Sequence, residues 1–287
     1  MTPVRGPAVP RRRLGTELRR LREESGLLIE AVAEHLECST SKISRLETGK
    51  GIPKARDIRD LLALYGVTDA KVRERLTRWV RDGQQQGWWH DFSAVLDEKR
   101  ETFVALEADA ARMQGYEPAL VHGLFQTADY AREIAKMVLV DPTSADLDKF
   151  VELRLQRQVI LSRPEGALQL HVIMEEPVLY RPVGGPEVMR GQLRRLLEVA
   201  AAPNVDLQVL PLNVGVHPAL VGPFALLTFP DTADQGVVIG EGVGGLVILE
   251  NERDVSSFSR TFDEIQRRAL DQRESVAFIA SILQGTD

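Results

Sequence analysis

The sequence is poor in the residues that mark secreted, metal-binding and membrane proteins. It has one cysteine, Cys38, among 287 residues, which excludes an intrachain disulfide and does not by itself make a structural zinc site. No run of about 18 uncharged apolar residues occurs, and the N-terminal segment lacks the apolar core of a signal peptide. We therefore expect a cytoplasmic protein that does not enter a membrane. The length is roughly twice that of a typical domain, which predicts two domains.

Motifs for catalysis are also scarce. The sequence has no GxxxxGK[ST], HExxH or GxSxG motif, and its GxGxxG match at 240–245 precedes a predicted strand, so we interpret it as a hairpin turn. We interpret Glu175 and Glu176 as acidic residues that stabilise the N-terminus of a helix. We interpret His217 as loop decoration, with a ligand contact as the alternative. The histidines lack metal-ligand spacing, and they lie at positions 35, 90, 122, 171 and 217. We predict no catalytic residue, no metal, no cofactor and no enzymatic activity.

Charge is divided unevenly along the chain. The formal net charge is -6, but residues 1–82 carry 18 basic against 12 acidic residues, a net +6, and residues 83–287 carry 18 against 30, a net -12. A basic segment on an acidic protein predicts a local anionic partner for that segment.

Hydrophobic periodicity predicts an all-α N-terminal domain of about five helices followed by an α+β C-terminal domain. Residues from about 97 to 137 are predicted to be helical with a break at Pro118. Trp88 and Trp89 favour a docked segment over a free linker, because exposed paired tryptophans are costly. The predicted organisation is a flexible arm at 1–10, a helical domain at 11–82, a linker with the docked tryptophan pair at 83–98 and a second domain at 99–287.

The strongest pattern lies within residues 29–49. A bihelical DNA-binding unit needs a small residue where its helices cross, an apolar residue in the turn and apolar anchors under the second helix. Ala33, Cys38, Ile43 and Leu46 meet those needs. The outward face of the second helix is then polar and basic, with Thr40, Ser41, Lys42, Ser44 and Arg45. The alternative is an ordinary solvated helix face in a small bundle.

These residues carry a resemblance to known families. The runs LGTELRRLREESG and AVAEHLECSTSKISRLETGKGIP resemble the Cro/cI-like (xenobiotic response element type) helix-turn-helix repressors, and SKISRLETGK is the most specific part. The remainder resembles the second domain of WhiJ-like, antitoxin-like regulators of filamentous actinobacteria. The runs that carry this second resemblance are LEADAARMQGYEPALVHGLFQTADYARE, EEPVLYRPVGGPEVMRGQLRRLLE and PFALLTFPD.

The resemblance implies site residues at the start of the second helix of the DNA-binding unit. It places the base-reading side chains at Thr40, Ser41 and Arg45, and a guanidinium can bond a guanine edge bidentately. It places phosphate contacts at Ser39, Lys42 and Lys50, which position the protein without reading sequence.

Two positions depart from the repressor pattern. A phosphate-binding Gln that relatives often carry is Ile29 here, and the turn position usually held by Gly is Glu37. Glu37 must either adopt a left-handed conformation at some cost or reshape the turn. The resemblance also implies a structural ion pair between Arg22 and Glu47. The basic run at 11–13 could enter a minor groove or simply aid solubility.

The partners that follow are double-stranded DNA and a second copy of the chain. DNA-binding domains of this kind bind two half-sites as dimers, so we expect a homodimer on a palindromic operator, acting as a repressor or antitoxin-like regulator. The resemblance further implies a small BldB-like partner protein that acts through the C-terminal domain. The alternative is a small-molecule sensor with a pocket near Val205–Phe229.

Overall fold

The computed structural model describes residues 7–52, 54–85, 87–230, 236–242 and 244–285. The chain divides into two compact units between His90 and Asp91. Within the described ranges, no helix is both long and apolar enough to span a bilayer.

The N-terminal unit is an all-helical bundle. Its helices are α1 (Ala8–Glu24), α2 (Ile29–His35), α3 (Thr40–Glu47), α4 (Ala55–Leu64) and α5 (Ala70–Gly83). Each helix contributes one apolar face to a single core that contains Leu14, Leu18, Val32, Ile43, Leu61 and Leu76. The helical periodicity of the sequence thus corresponds to these five elements, which share one buried centre.

Helix α1 begins earlier than the sequence suggests. Residues 1–6 of the predicted arm lie outside the described part, but Ala8 to Pro10 are helical. Proline is tolerated there because the first-turn N–H groups have no intrahelical acceptor. The basic run at 11–13 is therefore helical rather than part of an extended arm, and Arg11 Nε donates to the Gly83 carbonyl at 2.6 Å.

The tryptophan pair forms a 3-10 helix, Trp88–Phe92. Trp89 is buried and Trp88 is half-buried, and their rings meet edge to face with centroids 5.9 Å apart. A Cβ placed on Gly87 would lie 2.2 Å from the Trp89 ring, so this indole needs a glycine beside it.

The second unit contains helices and one mixed sheet, as the α+β prediction states. Its strands are β1 (Arg112–Glu117), β2 (Gln169–Glu175), β3 (Val205–Leu210), β4 (Phe224–Thr228), β5 (Val237–Gly242) and β6 (Gly245–Leu249). Its helices are α6 (Glu98–Asp109), α7 (Ala128–Val138), α8 (Ser144–Gln158), α9 (Pro177–Tyr180), α10 (Pro186–Ala200), α11 (Glu252–Arg268) and α12 (Gln272–Gly285). The strand order is β3-β2-β1-β4-β5-β6, in which β1, β2 and β3 are parallel and the rest antiparallel.

Strand β1 contradicts the prediction of a helix through this region. Its sequence, RMQGYE, has no apolar alternation, yet it pairs with β2 on one side and β4 on the other. Gln114 is nevertheless buried, and Gly115 has no side chain to bury. Pairing to two neighbours, which are distant in sequence, overrides the local pattern.

The sheet separates two layers of side chains. On one face, Tyr116, Ile173, Leu226 and Val238 pack against Phe262 of α11. On the opposite face, Gly115 lies close to His122, whose Cδ2 would be 3.4 Å from a Cβ at that glycine. Gly242 pairs with Gly245 across the β5–β6 hairpin, so the glycine-rich segment turns between strands as predicted and opens no helix.

Candidate nucleic-acid interface

Helix α3 has a buried side and an exposed side. Ile43 and Leu46 anchor it in the core, whereas Thr40, Ser41, Ser44 and Arg45 are exposed. The Ser39 hydroxyl accepts a hydrogen bond from Lys42 N at 3.2 Å and caps the N-terminus of the helix. The chain leaves α3 through Gly49, whose φ of +70° favours glycine. A short helix is thus held at both ends with its polar face outward.

The turn between α2 and α3 shows how the chain accommodates Glu37. Glu37 adopts a φ of +50°, the left-handed conformation that glycine usually supplies. Its N–H bonds to the Glu34 carbonyl, and the Cys38 N–H bonds to the Ala33 carbonyl. This is a Schellman ending of α2, so the turn keeps its shape and Glu37 bears the strain.

Helix α1 holds the C-terminal end of α3 through a close backbone approach and an ion pair. A Cβ placed on Gly15 would lie 2.5 Å from the Leu46 carbonyl oxygen, so only glycine permits this approach. Arg22 Nε and Nη2 bond to Glu47 Oε1 and Oε2 at 2.6 and 2.9 Å, and Arg22 Nη1 also donates to the Leu27 carbonyl. The Glu47 carboxylate raises the pKa of Arg22. Because this bidentate pair is largely buried, its charges support the fold and are not available to phosphates.

The side chains expected to contact DNA are not all equally available. Arg45 and Lys50 are exposed, and within the described ranges neither side chain makes a hydrogen bond or an ion pair. Lys42 instead pairs with Asp57 of α4, with Nζ 2.6 Å from Oδ2. The sequence analysis missed this pair, because Asp57 lies outside the 29–49 pattern and the packing of α4 brings it to Lys42. Ile29, in place of the expected Gln, packs against the core.

The second unit contains a buried polar cluster that sequence reasoning missed. His217 is only 7% exposed, and its Nε2 lies 3.0 Å from Glu175 Oε1, so its interpretation as loop decoration is wrong. The Tyr116 hydroxyl donates to the same carboxylate oxygen. Glu175 is the last residue of β2 and does not serve as helix N-terminal charge, whereas Glu176 directly precedes α9. Tyr116 and Glu175 meet here because β1 and β2 are adjacent and parallel, and the segment between β3 and β4 brings His217 to them.

A second cluster lies on the other side of the sheet. Glu107 and Arg157 form a buried bidentate pair with both contacts at 2.7 Å. Glu117 Oε1 lies 3.9 Å from His122 Nε2, and burial raises the pKa of Glu117 to about 8 and lowers the pKa of His122 to about 3. Among the described residues, no group of three or more His, Cys, Asp or Glu side chains is arranged to hold a metal ion.

Comparison with known proteins identifies both units. The family model described as "Domain of unknown function (DUF5753)" matches residues 100–281, and the model described as "Helix-turn-helix domain" matches residues 13–76. No curated protein and no solved structure matches the chain. The helix-turn-helix match covers most of α1, all of α2, α3 and α4 and the first half of α5, and it includes the exposed face of α3.

Proposed function

Since the chain belongs to the family defined by the domain of unknown function DUF5753, and carries a helix-turn-helix DNA-binding domain before it, we propose that this DNA-binding regulator recognises a palindromic operator as a homodimer. We further propose that it is not an enzyme and that it acts as a repressor or antitoxin-like regulator.

The observation that carries the proposal is the exposed face of α3. Arg45 projects from a helix whose opposite side is anchored by Ile43 and Leu46, and its guanidinium has no partner in the described part of the chain. An unpaired, exposed guanidinium on a rigid helix can bond a guanine edge without first breaking an internal contact. Thr40 and Ser41 lie at the start of the same helix and supply short hydrogen-bonding side chains.

We assign phosphate contacts to Ser39, Lys42 and Lys50, and we expect these residues to contribute unequally to DNA binding. Lys50 is exposed and unpaired among the described residues, so it reaches a phosphate at no internal cost. The Ser39 hydroxyl already caps α3, and Lys42 must exchange its ion pair with Asp57 for a phosphate. We therefore assign Lys50 the largest share of the salt dependence within this set.

The dimer follows from the size of the reading surface. One α3 contacts a single half-site, and tight, specific binding by such domains uses two half-sites about one helical turn apart. The second domain is assigned the dimer contacts and the docking of a small BldB-like partner protein that changes DNA affinity. Sensing of a small molecule by this domain is the alternative, and the buried cluster of Tyr116, Glu175 and His217 is the observation that favours it.

Operator binding tests the proposal directly. Footprinting of DNA upstream of its own gene should reveal a saturable site with two related half-sites, and fluorescence anisotropy then gives the affinity. Because a homodimer loses this contact in both half-sites, we expect Arg45→Ala to weaken binding to this site roughly 30-fold or more, equivalent to about 2–6 kcal/mol. Lys50→Ala removes one phosphate contact from each protomer, so it should make the log–log salt slope less negative by about 1.8 and leave the sequence preference unchanged.

Arg78→Ala is the matched control. Arg78 is an exposed arginine of the same unit, on α5, and its removal changes the net charge as Arg45→Ala does. Equal losses in the two variants would mean that only general charge is being measured. An operator bound unchanged by Arg45→Ala would contradict the assigned role of α3.

A further inference from the structure

Arg154, on α8, carries a positive charge that its surroundings do not pair. The side chain is half-buried, with its guanidinium over the Phe150 ring, 4.9 Å from the ring centroid. A Cβ placed on Gly123 would lie 2.4 Å from Arg154 Nη1, so the guanidinium lies against the backbone of that glycine. Within the described ranges it makes no hydrogen bond and no ion pair.

The ionisable groups around Arg154 either pair with another charged side chain or are neutral. They come from four elements and are Glu107 on α6, Glu117 on β1, Arg157 on α8 and Glu241 on β5. Together with Arg154 and His122 they form what we call the Arg154 cluster. Glu107 is taken up bidentately by Arg157, and the exposed Glu241 lies 3.8 Å from Arg100. Because burial raises the pKa of Glu117 to about 8, that carboxyl group is mostly protonated at neutral pH. Arg154 therefore has no direct ion-pair partner in the described part of the chain, although these carboxyl groups lie near it.

The cluster also holds unused hydrogen-bond donors. The Nδ1 atom of His122 accepts a bond from Leu124 N at 3.3 Å, which places the ring hydrogen on Nε2. That nitrogen faces Glu117 across 3.9 Å, too far for a hydrogen bond. Burial beside Arg157 lowers the pKa of Arg154 to about 9, so the guanidinium remains charged at neutral pH. A guanidinium, an imidazole N–H and a protonated carboxyl group thus lie in one cluster.

We propose that the Arg154 cluster binds the carboxylate group of a small molecule. A carboxylate brings one negative charge, which matches the one charge left unpaired, and its two oxygens suit the planar fork of a guanidinium. A phosphate dianion would bring a second negative charge next to Glu241 and Glu107, and the cluster has no second free cation for it. The site lies beyond the carboxyl end of β1, the edge of an open sheet at which ligands commonly bind.

Binding is tested with acetate, propionate and benzoate as probes on the full-length chain. Each probe is titrated at constant ionic strength against chloride, and inorganic phosphate is titrated in parallel, with thermal unfolding and calorimetry as readouts. We expect a saturable rise in Tm with at least one carboxylate and none with phosphate at matched concentration. Arg154→Gln should abolish the rise, and Arg132→Gln, which removes an arginine paired with Asp148 on the surface, should keep it.

A second variant keeps the test decisive if Arg154→Gln does not fold. Glu117→Gln retains the shape and supplies a permanent N–H donor, so its affinity for the carboxylate should fall only about twofold between pH 7 and pH 9, through the loss of charge on Arg154 with its pKa of about 9. The wild-type affinity should fall about twentyfold over the same interval, because Glu117 also ionises, with a pKa of about 8. The proposal is overturned if no carboxylate gives a saturable effect, if phosphate alone does, or if wild type and Glu117→Gln show the same pH dependence. None of these outcomes depends on operator binding.

Discussion

Glu37 offers a direct test of how the helix-turn-helix tolerates its departure from glycine. Its φ is +50°, whereas the corresponding positions after α1, α3 and α4 are Gly26, Gly49 and Gly66, with φ between +67° and +70°. Of the four left-handed helix ends in the described part of this unit, three are thus glycine and one is a residue that has a Cβ. Replacing Glu37 by glycine should relieve strain at this single turn.

The expected gain is the difference between two effects. A left-handed conformation costs a residue with a Cβ about 1–2 kcal/mol, and glycine loses about 0.5–1 kcal/mol through the greater freedom of the unfolded chain. The middle of these two ranges gives a net stabilisation of about 0.75 kcal/mol for Glu37→Gly. For a helical unit of this size that corresponds to a rise in Tm of about 3–6 °C.

Calorimetric unfolding of the full-length chain measures this effect, since the two units can give separate transitions. The matched control is Glu37→Ala, which removes the carboxylate but keeps the Cβ and hence the strain, so its Tm should stay close to wild type. Operator affinity should be unchanged in Glu37→Gly, because the Schellman bonds already hold the turn in this geometry. A glycine variant no more stable than the alanine variant would refute the assignment of strain to this residue.

Two further predictions follow from close contacts and buried charge. Gly15→Ala should destabilise the N-terminal unit by about 1–3 kcal/mol in urea unfolding, because its Cβ would meet the Leu46 carbonyl at 2.5 Å. The control is Gly191→Ala in α10, whose Cβ would meet nothing within 4 Å, and it should be neutral or slightly stabilising. His122 has its pKa lowered to about 3 by burial, so its contribution to stability is present above pH 6.5 and is lost as the pH falls toward 3. In His122→Asn the side-chain oxygen can still accept a hydrogen bond from Leu124 N, but the group does not titrate. This variant should lose less stability over that pH interval, as measured by denaturation at a series of pH values. A slope of stability against pH equal to that of wild type would contradict a neutral buried His122.

The N-terminal unit could be predicted from sequence because its signals are local. Apolar residues at helical spacing, Ser39 before α3 and glycines after three helices define the elements within a few residues of where they act. The exposed face of α3 follows from the same periodicity, since Ile43 and Leu46 set which side is buried. Even the conflict at Glu37 is visible in sequence, although only the backbone shows that Glu37 adopts the left-handed conformation and that the turn is not reshaped.

The second unit was less predictable where its contacts are long-range. Strand β1 has no strand-like pattern and exists because β2 and β4 flank it. For the same reason His217 could not be recognised as buried, since its partner Glu175 lies 42 positions earlier in the chain.

The sequence by itself determined the two-domain organisation, the concentration of basic charge in residues 1–82, and a helix with a polar face at 40–47. These properties depend on composition and on short-range spacing. Only the tertiary structure decided that Lys42 is paired with Asp57 while Arg45 is free, and that Arg154 is surrounded by committed or neutral groups. The availability of a charge depends on which groups the fold brings within a few ångströms, and sequence distance does not encode that.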